Sequence, residues 1–223
     1  DEKRDFVKII NPLGEETSVM RTTLIPNMLD VISTNLSHKV EEVGAFECGN
    51  TFKPQEGLPV QMKNLCIGMY GKEVDFFVLK GAVEAIVNNV GLKGYEIEPE
   101  TTNLTFHPGR CAKLMYNNIC LGTFGELHPD VLENYSLNQR VYVAELNLDL
   151  VFENLNNVIT YNPLPKYPAT TRDIALLVKD EVFVKQIEDI IKANGEDILE
   201  SYQLFDVYKG AQIEEGYKSI AYS

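Results

Sequence analysis

Three histidines, four cysteines and five arginines are the side chains in this chain most able to do chemistry, and their spacing is the first test of function. His107 stands in His107-Pro108-Gly109-Arg110 and His128 in Glu126-Leu127-His128-Pro129. A residue directly before proline is held extended or in a turn. As metal ligands or general bases these histidines would need a spaced His, Cys or carboxylate partner, which neither has. Both read as turn residues whose rings pack locally. Cys48, Cys66, Cys111 and Cys120 are scattered with no CxxC pair, which excludes a zinc ribbon and points to four free thiols in a reducing compartment. There is no GxxxxGK[ST] phosphate loop and no GxSxG elbow. Arg21 could grip a phosphate bidentately, although a lone arginine more often has a structural role.

Charge narrows the partners further. Twenty Lys and Arg face 33 Asp and Glu, for a net charge of −13. Such a chain does not coat a phosphate backbone by bulk attraction, so nucleic-acid contact requires a local patch or a more basic partner chain. Apolar residues at 44% and charged residues at 24% suit a folded protein. No apolar run approaches 18 residues, which predicts no membrane span. The charged start, Asp1-Glu2-Lys3-Arg4-Asp5, lacks a signal-peptide core, and a cytoplasmic location is expected.

These residues must be held by elements that the pattern also reveals. Three prolines in Asn162-Pro163-Leu164-Pro165-Lys166-Tyr167-Pro168 break any helix or central strand and read as a stiff linker. Before it, Phe6 to Ile10 is a short strand candidate. Ile25, Met28, Leu29, Ile32 and Leu36 trace one helix face, with Pro26 in the first turn. Asp75 is an N-cap for a helix bearing Phe76, Leu79, Val83, Ile86, Val87 and Val90, and Gly91 is its left-handed stop. Arg110–Tyr116 and Ile119–Phe124 flank a two-residue Asn117-Asn118 hairpin loop. Val141–Leu146 is a further strand. Beyond the linker, Arg172–Val178 reads as a strand buried on both faces. Val184, Ile187, Ile190 and Ile191 line a helix ending at Asn194-Gly195. Strands over Ile198–Tyr208 and Tyr217–Tyr222 follow. The fold class is therefore α+β, and the second part is β-α-β-β, a ferredoxin-like β-α-β-β-α-β order that stops before its last helix and strand.

A resemblance emerges from several blocks in order. Residues 11–29, NPLGEETSVMRTTLIPNML, are similar to the NPL-x-x-E-x-S-x-[LM]-R-x-x-L-[LI]-P stretch of the bacterial phenylalanyl-tRNA synthetase β-chain family. Phe46–Phe52, Asp75–Gly81, Phe106–Arg110, Gly125–Pro129, Tyr167–Ala175, Phe205–Gly210 and Lys218–Ala221 resemble the same family in the same order. The resemblance implies a non-catalytic class II synthetase-like domain over 1–161, with an antiparallel sheet and helices. The linker at 162–168 follows, and then a ferredoxin-like anticodon-binding domain over 169–223 that is incomplete at its C-terminus. The family departs from this chain at Tyr70–Asp75, where its loop is usually longer, and in a long interface helix that precedes its NPL block.

The resemblance also implies a role. This chain would be a fragment of the β subunit of phenylalanine–tRNA ligase. It would support ATP-dependent charging of tRNA through subunit assembly with an α chain, as α2β2, and through tRNA binding. Class II adenylation needs an arginine on the α-phosphate and another near the adenine, with acidic residues for Mg²⁺. The family's catalytic chains carry the first in F-R-x-E and the second in a Gly-rich segment ending in E-R. None of Arg4, Arg21, Arg110, Arg140 and Arg172 stands in either pattern, and Phe46-Glu47-Cys48-Gly49 has Glu where the Arg would be. No catalytic residue, cofactor-binding residue or metal ligand is expected here, ATP and Mg²⁺ being used elsewhere in the complex. The alternatives are a free-standing RNA-binding protein and an adenylating class II-like enzyme. The tRNA-contact candidates are Tyr208, Lys209, Lys218 and Arg172. By strand alternation Tyr202 and Tyr208 share one face, and Phe205 with Val207 forms core. Asp206, partly buried with Leu204 and Tyr208, would take Arg172 or Lys218 as its partner.

Overall fold

The computed structural model describes residues 5–155, 161, 167–210 and 212–223. Two compact units result, Asp1–Val158 and Ile159–Ser223. Residues 162–166 of the expected linker lie outside the described residues.

The larger unit is built on a six-stranded antiparallel sheet. Its strands are β1 (Val43–Lys53), β2 (Val60–Tyr70), β3 (Glu96–Pro99), β4 (Phe106–Tyr116), β5 (Ile119–Leu127) and β6 (Tyr142–Asn147), in the order β1-β2-β6-β5-β4-β3. Side chains alternate between its two faces. One face carries Leu65, Ile67, Ala112, Leu114, Phe124, Ala144 and Leu146, and buries them under α2 (Phe76–Asn89) and α4 (Leu148–Glu153). The other packs Cys66, Phe106, Cys111 and Val143 against α1 (Ile25–Ser37) and α3 (Pro129–Asn134).

Local chemistry explains the element ends. Ile25, Met28, Leu29 and Ile32 are the buried stripe of α1, with Pro26 in its first turn where no N–H is needed. The Asp75 carboxylate accepts from Val78 N at 2.8 Å and starts α2. Gly91 at φ 85° ends it, with Leu92 N donating to Val87 O at 2.9 Å. Asp75→Ala is expected to cost about 1 kcal/mol, read as a lower urea midpoint for the larger unit. Asn117 and Asn118, at φ 47° and 64°, make the tight loop between β4 and β5. The expected strand over Phe6–Ile10 is only an antiparallel bridge, Lys8 opposite Val19. β4 begins at Phe106 rather than Arg110, with an irregular register up to Cys111. Pro108 has no N–H to give a ladder there.

The smaller unit holds β7 (Ile174–Lys179), α5 (Val184–Gly195), β8 (Leu204–Tyr208) and β9 (Tyr217–Tyr222). The antiparallel strand order is β7-β9-β8. Ile187, Ile220 and Tyr222 form its core, with Leu176, Val178, Val184, Ile191 and Leu204 packed around them. Several expectations fail here, for definite reasons. β7 is not buried on both faces, because α5 covers only one, and Leu177 on the other is 61% exposed. Ile190 lies off the packed stripe of α5 and is exposed. Ile198, expected to begin a strand, instead ends a 3-10 turn over Glu196–Ile198, and β8 starts only at Leu204.

The largest correction comes from one extra residue. Leu204 pairs with Tyr222 but Asp206 pairs with Ala221, so Phe205 is a bulge. A bulge inverts the alternation beyond it. Tyr202 therefore packs into the core beside Tyr222, 6.3 Å between ring centroids, while Tyr208 is 42% exposed. Phe205 and Val207, expected in the core, are 56% and 50% exposed. Asp206 is exposed as well, so it needs no buried partner. Its two expected partners are engaged elsewhere: Lys218 Nζ donates to Asp180 O and an Arg172 N–H to Thr171 O.

Candidate functional site

The sheet face under α1 has a polar half. Pairing of Glu47 with Cys66, and of Cys66 with Glu145, brings β1, β2 and β6 into one row on that face. A cleft of about 230 Å³ opens there, lined by Ile25, Asn64, Phe106, Leu121, Glu145 and Asn147 among others. Three carboxylates of this unit, Glu47, Glu145 and Glu100, are engaged. Arg21, the sequence's phosphate candidate, donates to Glu47 Oε1 at 2.6 Å and to Asn50 O at 2.9 Å. Glu145 accepts from Leu24 N at 2.7 Å and from the Thr23 hydroxyl at 2.6 Å, which satisfies donors at the start of α1. Glu100 accepts from Lys113, from Thr102 N and from the Thr102 hydroxyl. Those bonds hold its carboxyl down at about 2. Burial pushes the Cys66 thiol well up, and the nearby Glu145 and Glu47 carboxylates push it further. A protonated, buried thiol is no nucleophile.

The histidines do what a turn asks. His107 Nδ1 accepts from Gly109 N at 3.1 Å, and His128 Nδ1 accepts from Asp130 N at 3.2 Å, capping α3. Among the described residues, no group of three or more His, Cys, Asp or Glu could hold a metal ion. No helix among them is long and apolar enough to cross a membrane. Chemically, this cleft is a mixed polar and apolar hollow with one carboxylate, Glu145, whose oxygens are taken up by Leu24 N, the Thr23 hydroxyl and Asn64.

The smaller unit presents a different surface. Opposite α5 the sheet is uncovered among the described residues. Leu177, Ser219 and Tyr208 lie in one cross-strand row, flanked by a row of the small Ala175 and Ala221 and the exposed Asp206. A flat patch with one exposed phenol ring is suited to stacking a planar group. Of the four sequence candidates, Tyr208 stands on this face. Lys209 and Lys218 meet at its end, on one residue: Lys209 Nζ lies 2.8 Å from Asp180 Oδ2, and Lys218 Nζ donates to Asp180 O at 2.9 Å. Arg172 is not among them. It precedes β7, whose first residue pairs with Tyr222, at the end of the sheet away from Tyr208. Asp180 and Leu177 escaped the sequence reading. A single Asp after an apolar strand carries no sign of which lysines reach it, and Leu177 looked like core because β7 is apolar throughout.

Known proteins match both units. The family model of the phenylalanyl tRNA synthetase beta chain CLM domain matches residues 1–148, and that of the ferredoxin-fold anticodon binding domain matches residues 165–223. The chain is 48% identical to the phenylalanine–tRNA ligase beta subunit of Clostridium tetani over 223 residues, covering 99% of this chain and 28% of that protein. It is 47% identical to the same subunit of Clostridium acetobutylicum, again over 28% of that protein. The chain thus spans little more than a quarter of these relatives. A pyrrolysyl tRNA synthetase structure from Desulfitobacterium hafniense superimposes with a TM-score of 0.53 at 14% identity, over 64% of this chain and 51% of that one. That likeness concerns the fold alone, a class II synthetase-like antiparallel sheet. The model match over two thirds of the chain, and the relatives along nearly all of it, agree with the sheet order and the β-α-β-β unit: this chain belongs to the family of the phenylalanyl tRNA synthetase beta chain CLM domain.

Proposed function

We propose that this chain is the part of a phenylalanine–tRNA ligase β subunit that scaffolds assembly with an α chain and touches tRNA through its smaller unit. The ligase would act in the cytoplasm as an α2β2 complex. ATP and Mg²⁺ would be handled by residues outside this chain. The engagement of Arg21 by Glu47 supports the absence of an adenylation site here: a guanidinium already paired with a carboxylate is poorly placed to bind a triphosphate. ATP–pyrophosphate exchange with phenylalanine tests this, and clear activity from this chain alone would overturn it.

The observation that carries the tRNA reading is the uncovered row of Leu177, Ser219 and Tyr208, in the segment that matches the anticodon-binding family. Single-stranded loops are bound by stacking bases on exposed aromatics while cations take the phosphates. Tyr208 offers the ring, with Lys209 and Lys218 at the sheet end. The smaller unit carries 7 Lys and Arg against 11 Asp and Glu over residues 166–223, so its bulk charge does not attract RNA and the contact has to be local. Tyr208→Ala together with Lys218→Ala, in the full-length α and β assembly, is expected to raise KM for tRNA about tenfold. That is the size of one lost stacking contact at about 1.4 kcal/mol. A KM within about twofold of the parent would make these residues structural. Arg172→Ala, at the far end of the sheet, is expected to leave KM within that same twofold range.

A further inference from the structure

Asp180 sits where the two candidate phosphate ligands meet. Its backbone is fixed, since Asp180 N donates to Gly216 O at 2.9 Å and its carbonyl accepts from Lys218. Its side chain is the variable part, and that carboxylate lies 2.8 Å from Lys209 Nζ. Both side chains are partly open to solvent, at 58% for Lys209 and 39% for Asp180. The same end of the sheet carries Lys179, 4.0 Å from Glu181 in the turn after β7, and Glu214 and Glu215 in the β8–β9 loop. Three lysines therefore face four carboxylates, counting Asp180, and this end is net negative.

We infer that Asp180 is an autoinhibitory residue that competes intramolecularly for Lys209 and so weakens the phosphate contact this end of the sheet makes with RNA. The inference rests on the tRNA-contact reading above. Non-specific RNA affinity is almost wholly electrostatic. A phosphate arriving at Lys209 must displace or sit beside the Asp180 carboxylate, and it meets repulsion either way. Stacking on Tyr208 does not involve that carboxylate. An RNA with a base to place on the open face keeps that share of its affinity and gives up only the phosphate's. The two shares add in free energy, so Asp180 lowers both affinities by about the same factor, and it matters most where the phosphate share is all the binding there is.

The test is Asp180→Asn in the full-length α and β assembly. It uses the cognate tRNA transcript and, as the second transcript, a self-complementary RNA that forms a fully base-paired duplex, titrated across a salt series. Asn keeps the shape and both backbone bonds, and an unchanged melting temperature verifies the fold. Affinity for the second transcript is expected to rise about fivefold near 0.1 M salt, equivalent to about 1 kcal/mol. Its dependence of log K on log salt should steepen by nearly one unit. The cognate affinity should rise by a similar factor, because its stacking share is untouched. Lys209→Ala added to Asp180→Asn should abolish the gain. Unchanged or weaker binding of the second transcript would overturn the inference and make Asp180 a simple tether for Lys209. Tyr208→Ala with Lys218→Ala alone separates the two levels. If that pair leaves cognate binding unaltered, the contact reading itself falls, and the inference with it. If the pair weakens cognate binding while Asp180→Asn tightens nothing, only the inference falls.

Discussion

Lys113→Ala is expected to destabilise the larger unit by about 3 kcal/mol, because it leaves the Glu100 carboxylate buried without its cation. The Glu100 side chain is only 4% exposed, and its remaining acceptor bonds are those from Thr102 N, the Thr102 hydroxyl and Asn103 N. Urea denaturation of the two proteins at pH 7 measures the loss. The pH dependence provides an independent reading of the same pair. Hydrogen bonds from Lys113 and Thr102 hold the folded carboxyl at about 2, against an ordinary 4.5 in the unfolded chain. Below 4.5 the unfolded state binds the proton first, so the pair's contribution is complete above that pH and drains away as pH falls toward 2. For the parent chain this accounts for about 3 kcal/mol of acid sensitivity. Lys113→Ala should lose less stability over that interval. Parallel acid titrations of the two proteins would show that Lys113 is not what lowers Glu100.

Phe124→Ala is expected to cost about 3–5 kcal/mol, at the upper end for a core truncation. Phe124 is fully buried on β5, and its ring stacks on Phe76 of α2 at 5.6 Å between centroids. Its cross-strand neighbours are Ala112 on one side and Ala144 on the other. Neither alanine has atoms to move into the vacated volume, so the cavity stays open and the contact with α2 is lost outright. The measurement is chemical unfolding with a probe in each unit. The larger unit's transition should shift to lower denaturant while the smaller unit's stays in place. An equal shift in both would mean that the units do not unfold separately.

What could be read from the amino-acid order alone was what short-range chemistry controls. The α1 stripe follows from a 3.6-residue period, the start of α2 from a carboxylate three residues before the amide it caps, and the tight loop from two asparagines able to adopt positive φ. The family, too, was legible, because its blocks are runs of neighbouring residues in a set order. What only tertiary structure decided depends on which distant segments lie side by side. Glu145 receives the amide of Leu24 from 121 residues away, and Arg21 meets Glu47 across 26. Asp180 gathers Lys218 from β9 and Lys209 from the residue just past β8. One bulge at Phe205 decided which ring of the smaller unit faces outward. A strand's side-chain period is two, so one inserted residue exchanges its faces, and whether a residue is inserted depends on the hydrogen bonds of the neighbouring strand rather than on the strand's own sequence.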